Sequence, residues 1–270
     1  TARVVFDGFD GPIDDSNFGG RRIKDYLRQE YRNQRDELVA TFICSRMRFE
    51  RSEMQKRAAT RTNAIELPHP WTEDQLVAIE EDILAENPRG ATPRYWEDVN
   101  VGDEIDVITK GPLGLTDFIA FIAAGAAPIP RVSAHSVALK RYRKHPKWAF
   151  RDPRTHALEP VYSVHYNDYA AKLQGAQIAY DVGIQRTCWQ IHSLTNWMGD
   201  SGRLLSLTDQ YRAHVYLSDV VRLGGRVDAK EIDADGNHVV RLVTWAHNQR
   251  GQNVMPGTAV IQLPNRPNAK

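Results

Sequence analysis

From Arg21 to Arg32 and again from Glu37 to Glu50, β-branched, aromatic and charged residues alternate, with Val39, Thr41, Ile43 and Ser45 on one side and Leu38, Ala40, Phe42 and Cys44 on the other. A period of two predicts two long strands, joined through Asn33-Gln34-Arg35-Asp36 as a hairpin. A hairpin alone is marginal in water, so this one must pack on something else. The preceding stretch, Thr1 to Gly20, is rich in Asp and Gly and shows no period, which reads as loop. Residues 51 to 72 are polar and end in Pro68-His69-Pro70. Thr72, followed by Glu73, Asp74 and Gln75, then has the form of an N-capped helix over about 73 to 86, stopped before Asn87-Pro88-Arg89-Gly90.

Beyond residue 95 the pattern changes. Tyr95 to Ile105 reads as a turn leading into a strand that runs to about Lys110, and Thr116 is placed to cap a short helix through Ala124. An irregular segment with Pro128, Pro130, Pro146, Pro153 and Pro160 follows, long enough to imply a job of its own. A helical turn is expected over Tyr169 to Leu173. The run from about Val182 to Met198 is apolar nearly all round, with Ile184, Cys188, Ile191 and Thr195 in one line and Trp189, Leu194, Trp197 and Met198 filling the others, so this helix belongs inside a domain. Strand-like runs close the chain near 204–216, 220–232, 238–249 and 254–263, with Asp233-Ala234-Asp235-Gly236 as a hairpin turn. The class is α+β: one long central helix wrapped by an antiparallel sheet. Three regions are expected, with 1–50 a strand hairpin, 51–94 a linker carrying one helix, and 95–270 the main domain with an insertion at about 126–160.

Charge narrows the function. Lys plus Arg, 35, nearly cancels Asp plus Glu, 34. The broad positive field that nucleic acid or an anionic membrane surface requires is therefore missing, and neither is expected as a partner. No apolar run approaches the ~20 residues of a membrane span and no signal-peptide pattern opens the chain, so a cytoplasmic protein is expected. Cys44 and Cys188 lie in apolar patterns without a neighbouring cysteine or histidine at ligand spacing, which predicts buried free thiols. His135, His145 and His156 show no metal-ligand spacing either, and no metal is expected.

One phrase carries more chemistry than the rest. Val164-His165, then Ala171, Gly175, Ile178 and Gly183, resembles the signature of the MaoC-like, R-specific enoyl-CoA hydratase/dehydratase family: an aliphatic-His pair, an alanine six positions on, and a glycine opening the central helix. Tyr95 to Ile105 resembles the acidic-hydrophobic-Gly-Asp opening of the same domains. The resemblance covers about 95 to 264 and implies a hotdog fold, with the 21–50 hairpin similar to the last strands of a first hotdog that is either truncated or completed by a partner chain. It also implies an acyl-CoA substrate, no cofactor beyond the coenzyme A of that substrate, and association as a homo- or hetero-oligomer with another hotdog chain.

Hydrating a conjugated thioester takes a base for water, an acid for the α-carbon, and donors for the enolate oxygen. The resemblance implies His165 as base and the Gly183 amide, at the positive end of the helix, as donor. It also implies an aspartate five residues before the histidine, where this chain has Pro160, or Ala126 if the proline-rich segment is an insertion. Asp168, Asp181 and Glu159 are the replacements to weigh. Asp181 also fits a plain N-cap and Asp168 a cap of the 169–173 turn. Tyr180, Arg186 and Trp197 are candidates for lining the acyl site, although Arg186 is equally suited to pairing with an acid and His192 to a hydrogen-bonded place in the core. Lys140, Arg141, Arg143, Lys144 and Lys147 suit coenzyme A phosphates or a solvated face equally well. Two other functions fit the same fold: a non-catalytic subunit supporting a partner, and thioester hydrolysis.

Overall fold

The computed structural model describes residues 2–16, 20–50, 52, 53, 56, 65–126 and 135–267. It divides into two compact units, Thr1–Ile65 with Tyr169–Gln177, and Glu66–Asp168 with Ile178–Lys270.

The first unit is a three-stranded antiparallel sheet of β1 (Ala2–Ser16), β2 (Gly20–Arg32) and β3 (Leu38–Phe49) in that order. The expected hairpin is β2–β3, with Leu27 opposite Cys44 and Gln29 opposite Phe42, which puts Phe42 and Cys44 on one face as the alternation requires. Asp25 is buried on this sheet between Arg46, 2.8 Å away, and Arg48. The expected loop at the start is instead β1. Its register against β2 shifts after Phe6, Asp10 and Ile13, and Gly8 and Gly11 take φ of 127° and 133°. Those bulges break the period of two that marks a strand in sequence.

The second unit holds the central helix and its sheet. Helix α1 (Glu73–Leu84) starts on Thr72, whose hydroxyl accepts the Gln75 amide while the Gln75 side chain accepts the Thr72 amide. This reciprocal cap is the one the sequence announces. The segment before the helix is fastened by Trp71, whose Nε1–H donates to the Ser218 carbonyl at 2.8 Å. Strand β4 (Ile108–Lys110) precedes α2 (Leu115–Phe121), which continues as a wider π turn through Ala126. The expected Thr116 cap is not the one used: Gly114 is the N-cap, and its amide is held by Asp117 Oδ2 at 2.7 Å.

The proline-rich segment contains a helix that the sequence reading missed, α3 (His135–Lys144), with Ala138 and Tyr142 buried four residues apart, and a small hairpin of β5 (Ala149–Arg151) and β6 (Leu158–Pro160). Residues 127–134, with Pro128 and Pro130, lie outside the described residues. After α4 (Asp168–Leu173) comes α5 (Gly183–Met198), followed by β7 (Arg203–Asp209), β8 (Val221–Ile232), β9 (His238–Asn248) and β10 (Gly257–Gln262). Strands run in the order β4-β8-β9-β10-β7, all antiparallel. Leu194, Trp197 and Met198 of α5 share a core with Val227, Leu242 and Ile261 of the sheet. Gly199 ends the helix at φ 70°, ψ −179°, a conformation open essentially to glycine alone.

Two expectations about burial change. Cys188 is exposed because α5 turns its line outward, and Cys44, on β3, is only partly covered. Its buried face includes Arg186, Gln190 and Ser193, so α5 is not apolar all round. His192 does not sit in the core: its Nε2 lies 2.7 Å from Glu86 Oε1 at a half-buried surface.

Candidate functional site

Pro160 leads into a single 3-10 turn, Val161–His165, whose last residue is buried. The His165 Nδ1 lies 2.8 Å from the carbonyl oxygen of Tyr180. A carbonyl only accepts, so Nδ1 carries the proton and the neutral ring presents its lone pair at Nε2. Burial holds the imidazole pKa below its ordinary value, opposed by hydrogen bonds to the backbone of Tyr180 and Asp181. Both facts favour an unprotonated Nε2 at neutral pH. Among the described residues no carboxylate hydrogen-bonds this ring.

The Tyr180 carbonyl is itself held in place. Residues 179–181 run antiparallel to 215–217: Leu217 N–H donates to Ala179 O at 3.0 Å, Asp181 N–H to Val215 O at 2.8 Å, and Tyr180 faces Tyr216. The fully buried Asp181 and Arg186 clamp the ladder. Asp181 Oδ1 accepts the Val215 amide, its Oδ2 lies 2.6 Å from Arg186 Nε, and Arg186 donates through Nη1 to the carbonyls of Ala213 and Val254 at 3.0 Å each. The Nε–H is not well aimed at Oδ2, so that contact is an ion pair more than a hydrogen bond. Burial pushes the Asp181 carboxyl above the usual range, and the Arg186 guanidinium pulls it back.

Asp181 is therefore not the helix cap. That position belongs to Val182, with no side-chain cap, so the first amides of α5 end without the usual partner. Gly183 opens the helix, but the room beside its Cα is taken: a Cβ there would meet the Tyr211 ring at 3.0 Å. The glycine thus admits a tyrosine ring, which also lies over Arg186 at 5.1 Å.

The ladder gathers rings around His165 that sequence order did not suggest. Tyr162 and Tyr180 contact its imidazole edge-on, at centroid distances of 4.8 and 5.1 Å. His214 stacks on the other side of Tyr180 at 4.2 Å and meets Tyr216 at 5.7 Å. The Tyr180 hydroxyl pKa is pushed up to about 12, by burial first and then by Asp181 and the neighbouring tyrosines. Tyr162 and His214 went unnoticed in the sequence. The only signal for His214 is its place opposite the helix start in the ladder, which is a tertiary relationship.

The remaining candidates fall elsewhere. Asp168 is exposed at the start of α4, and its Oδ1 accepts the Ala179 amide at 2.8 Å, which staples the loop ahead of Tyr180. Trp197, 2 % exposed, is in the core beneath the Arg94 guanidinium. Pro160 is buried in β6, and Ala126 ends the π turn. Among the described residues no group of three or more His, Cys, Asp or Glu is placed to hold a metal ion. Among the described residues no helix is long and apolar enough to cross a membrane.

Over 98% of its length the chain superposes on a solved MaoC-like dehydratase, of which it covers 69%, with a TM-score of 0.58 at 15% identity. The chain has the hotdog fold of the MaoC-like dehydratases. A second hotdog structure, the MaoC domain protein dehydratase of Chloroflexus aurantiacus, matches over 98% of this chain and 70% of its own, with a TM-score of 0.53 and 13% identity. The R-hydratase PhaJ1 of Pseudomonas aeruginosa, unliganded, matches over 64% of this chain and 86% of its own, at 17% identity and a TM-score of 0.46. No protein-family model matches the sequence, and no curated protein matches it.

Proposed function

We propose that the protein is an acyl-CoA hydro-lyase that interconverts a 2-enoyl-CoA and a 3-hydroxyacyl-CoA, with His165 as the base. One observation carries this reading: the Tyr180 carbonyl, three residues in sequence before the uncapped start of α5, fixes Nδ1–H and leaves a buried imidazole with its lone pair at Nε2. In the hydration direction Nε2 takes a proton from water as its oxygen adds to the β-carbon. The amides that open α5 at Gly183, at the positive end of the helix, receive the charge that develops on the thioester oxygen. Coenzyme A enters as part of the substrate and no further cofactor is invoked. Association with another hotdog chain and a cytoplasmic setting belong to the same proposal.

The commitments of two carboxylates favour a second reading, a non-catalytic hotdog subunit that supports an active partner. Asp181 is locked to Arg186 and Asp168 to the Ala179 amide, so neither side chain is directed at His165. Thioester hydrolysis is the third possibility on this fold.

A panel of 2-enoyl-CoAs followed by loss of the enoyl-thioester absorbance, with free thiol assayed in parallel, separates the three. Hydration by the chain alone that falls about 10²–10⁴-fold in His165→Ala supports the lyase. Release of coenzyme A means a thioesterase. Activity that appears only with a copurifying partner, and survives His165→Ala, means a supporting subunit.

A further inference from the structure

The lyase reading leaves the acid unassigned, and a hydrogen-bonded chain at the start of α5 is built to fill that role. The Tyr211 ring covers Gly183, and its hydroxyl lies 2.7 Å from Thr187 Oγ1, which in turn lies 2.8 Å from Asp209 Oδ2. Asp209 ends β7, half-buried, opposite Gly257 of β10. Its second oxygen, Oδ1, is buried and has no hydrogen-bond partner among the described residues. A buried carboxylate with a bare oxygen is costly, whereas the neutral acid tolerates it. Burial accordingly holds the Asp209 carboxyl above the usual range, with Thr187 and Arg186 opposing.

We propose that Tyr211 is the general acid of this site and that Thr187 and Asp209 are positioning residues which return its proton. This rests on the lyase reading above. The tyrosine and His165 grip opposite ends of one tetrapeptide, Tyr180–Gly183: His165 holds the carbonyl at its beginning and Tyr211 the glycine at its end. A thioester whose oxygen meets the α5 amides therefore lies between a base and an acid. Asp181 is committed to Arg186 and Asp168 to the Ala179 amide, whereas Asp209 is linked through the Thr187 hydroxyl to Tyr211.

The direction of the path follows from the single hydrogen of each hydroxyl. With Asp209 neutral, its proton goes to Thr187 and the Thr187 hydrogen to Tyr211; with Asp209 ionised the order reverses. In hydration the water oxygen bonds to the β-carbon and gives a proton to His165 Nε2, while the double-bond pair moves towards the thioester oxygen. When that pair returns, the α-carbon takes the Tyr211 proton. Tyr211 is refilled from Thr187 and Thr187 from Asp209. Exchange with solvent then reprotonates Asp209 and deprotonates His165, so one water has been added and both residues are reset. Dehydration runs the same steps backwards.

The test measures hydration kinetics from pH 5 to 9 for the wild type, Tyr211→Phe, Thr187→Val, Thr187→Ser and Asp209→Asn, with urea unfolding of each. The expected result is a kcat loss of about 10²-fold or more in Tyr211→Phe with KM changed less than about threefold. Thr187→Val and Asp209→Asn lose activity and the alkaline fall of the pH profile, and Thr187→Ser restores both. Overturning results are wild-type kcat in Tyr211→Phe, or losses in the Thr187 and Asp209 variants that track a lower unfolding midpoint with the pH profile unmoved. Wild type that is active and dies in His165→Ala, with Tyr211→Phe unaffected, sinks the relay and leaves the lyase reading. Wild type inactive on every enoyl-CoA sinks both.

Discussion

Asp181 and Arg186 meet as a fully buried ion pair, Oδ2 to Nε 2.6 Å, and through Val215, Ala213 and Val254 they hold together the stretches that carry Tyr180 and His214. Removing one partner leaves the other charge buried without compensation. Arg186→Met is expected to cost about 3–5 kcal/mol of unfolding free energy. The double variant Asp181→Leu/Arg186→Met is expected to recover a good part of this, since neither charge is then stranded. Urea unfolding of the two variants and the wild type checks it, and equal destabilisation in both would refute the clamp.

His165 makes the fold sensitive to mild acid. Its folded pKa is below that of the unfolded chain, about 6.5, so the unfolded state binds the proton first. The stabilising contribution is therefore fully present above pH 6.5 and is lost as the pH falls towards the folded value. Unfolding free energies at pH 7 and pH 5 should differ by less in His165→Gln than in the wild type. An identical pH dependence would mean that the ring is not desolvated.

Gly199 is required by its backbone. At φ 70°, ψ −179° an added Cβ would also stand 2.9 Å from the Gly90 carbonyl oxygen and 3.1 Å from the Arg89 side chain. Gly199→Ala is expected to lower stability by about 1–3 kcal/mol from the backbone conformation alone. Thermal unfolding reads the effect, and an unchanged midpoint would contradict the conformation described.

Gly257 packs more tightly still. A Cβ would lie 2.5 Å from the Thr208 carbonyl, 2.6 Å from Asp209 Oδ1 and 2.7 Å from Thr244 Oγ1. Gly257→Ala must push β10 away from β7 or displace Asp209. A loss of about 1–3 kcal/mol is expected, with faster amide exchange at Thr208 and Asp209. Exchange unaltered at those two residues would place the strain elsewhere.

Much of the second unit was legible because its elements have clean periods. Helix α5 begins within a residue of where its apolar run starts, and Thr72 caps α1 with the Gln75 partner that its spacing announces. Elements whose stabilisation is not periodic were missed. Strand β1 is interrupted by bulges, and α3 shows only Ala138 and Tyr142 to the interior among charged neighbours and flanking prolines. At the candidate site, His165 and Gly183 lie in one phrase of the sequence, which is why both were singled out there. Asp209, Tyr211 and His214 lie after the helix, and only the pairing of 179–181 with 215–217 and the packing of β7 beside α5 bring them in. Asp181 was misplaced as a cap because the sequence does not show that its side chain turns inward to Arg186.

The hydrogen bond that orients His165 is donated by its own Nδ1–H to a main-chain carbonyl, and every amino acid supplies such an acceptor. Substitution at position 180 can therefore retune the size and polarity of the surface around the imidazole while the proton stays on the same nitrogen. Under the lyase reading proposed above, substrate preference is free to drift under selection without passing through variants whose base faces the wrong way.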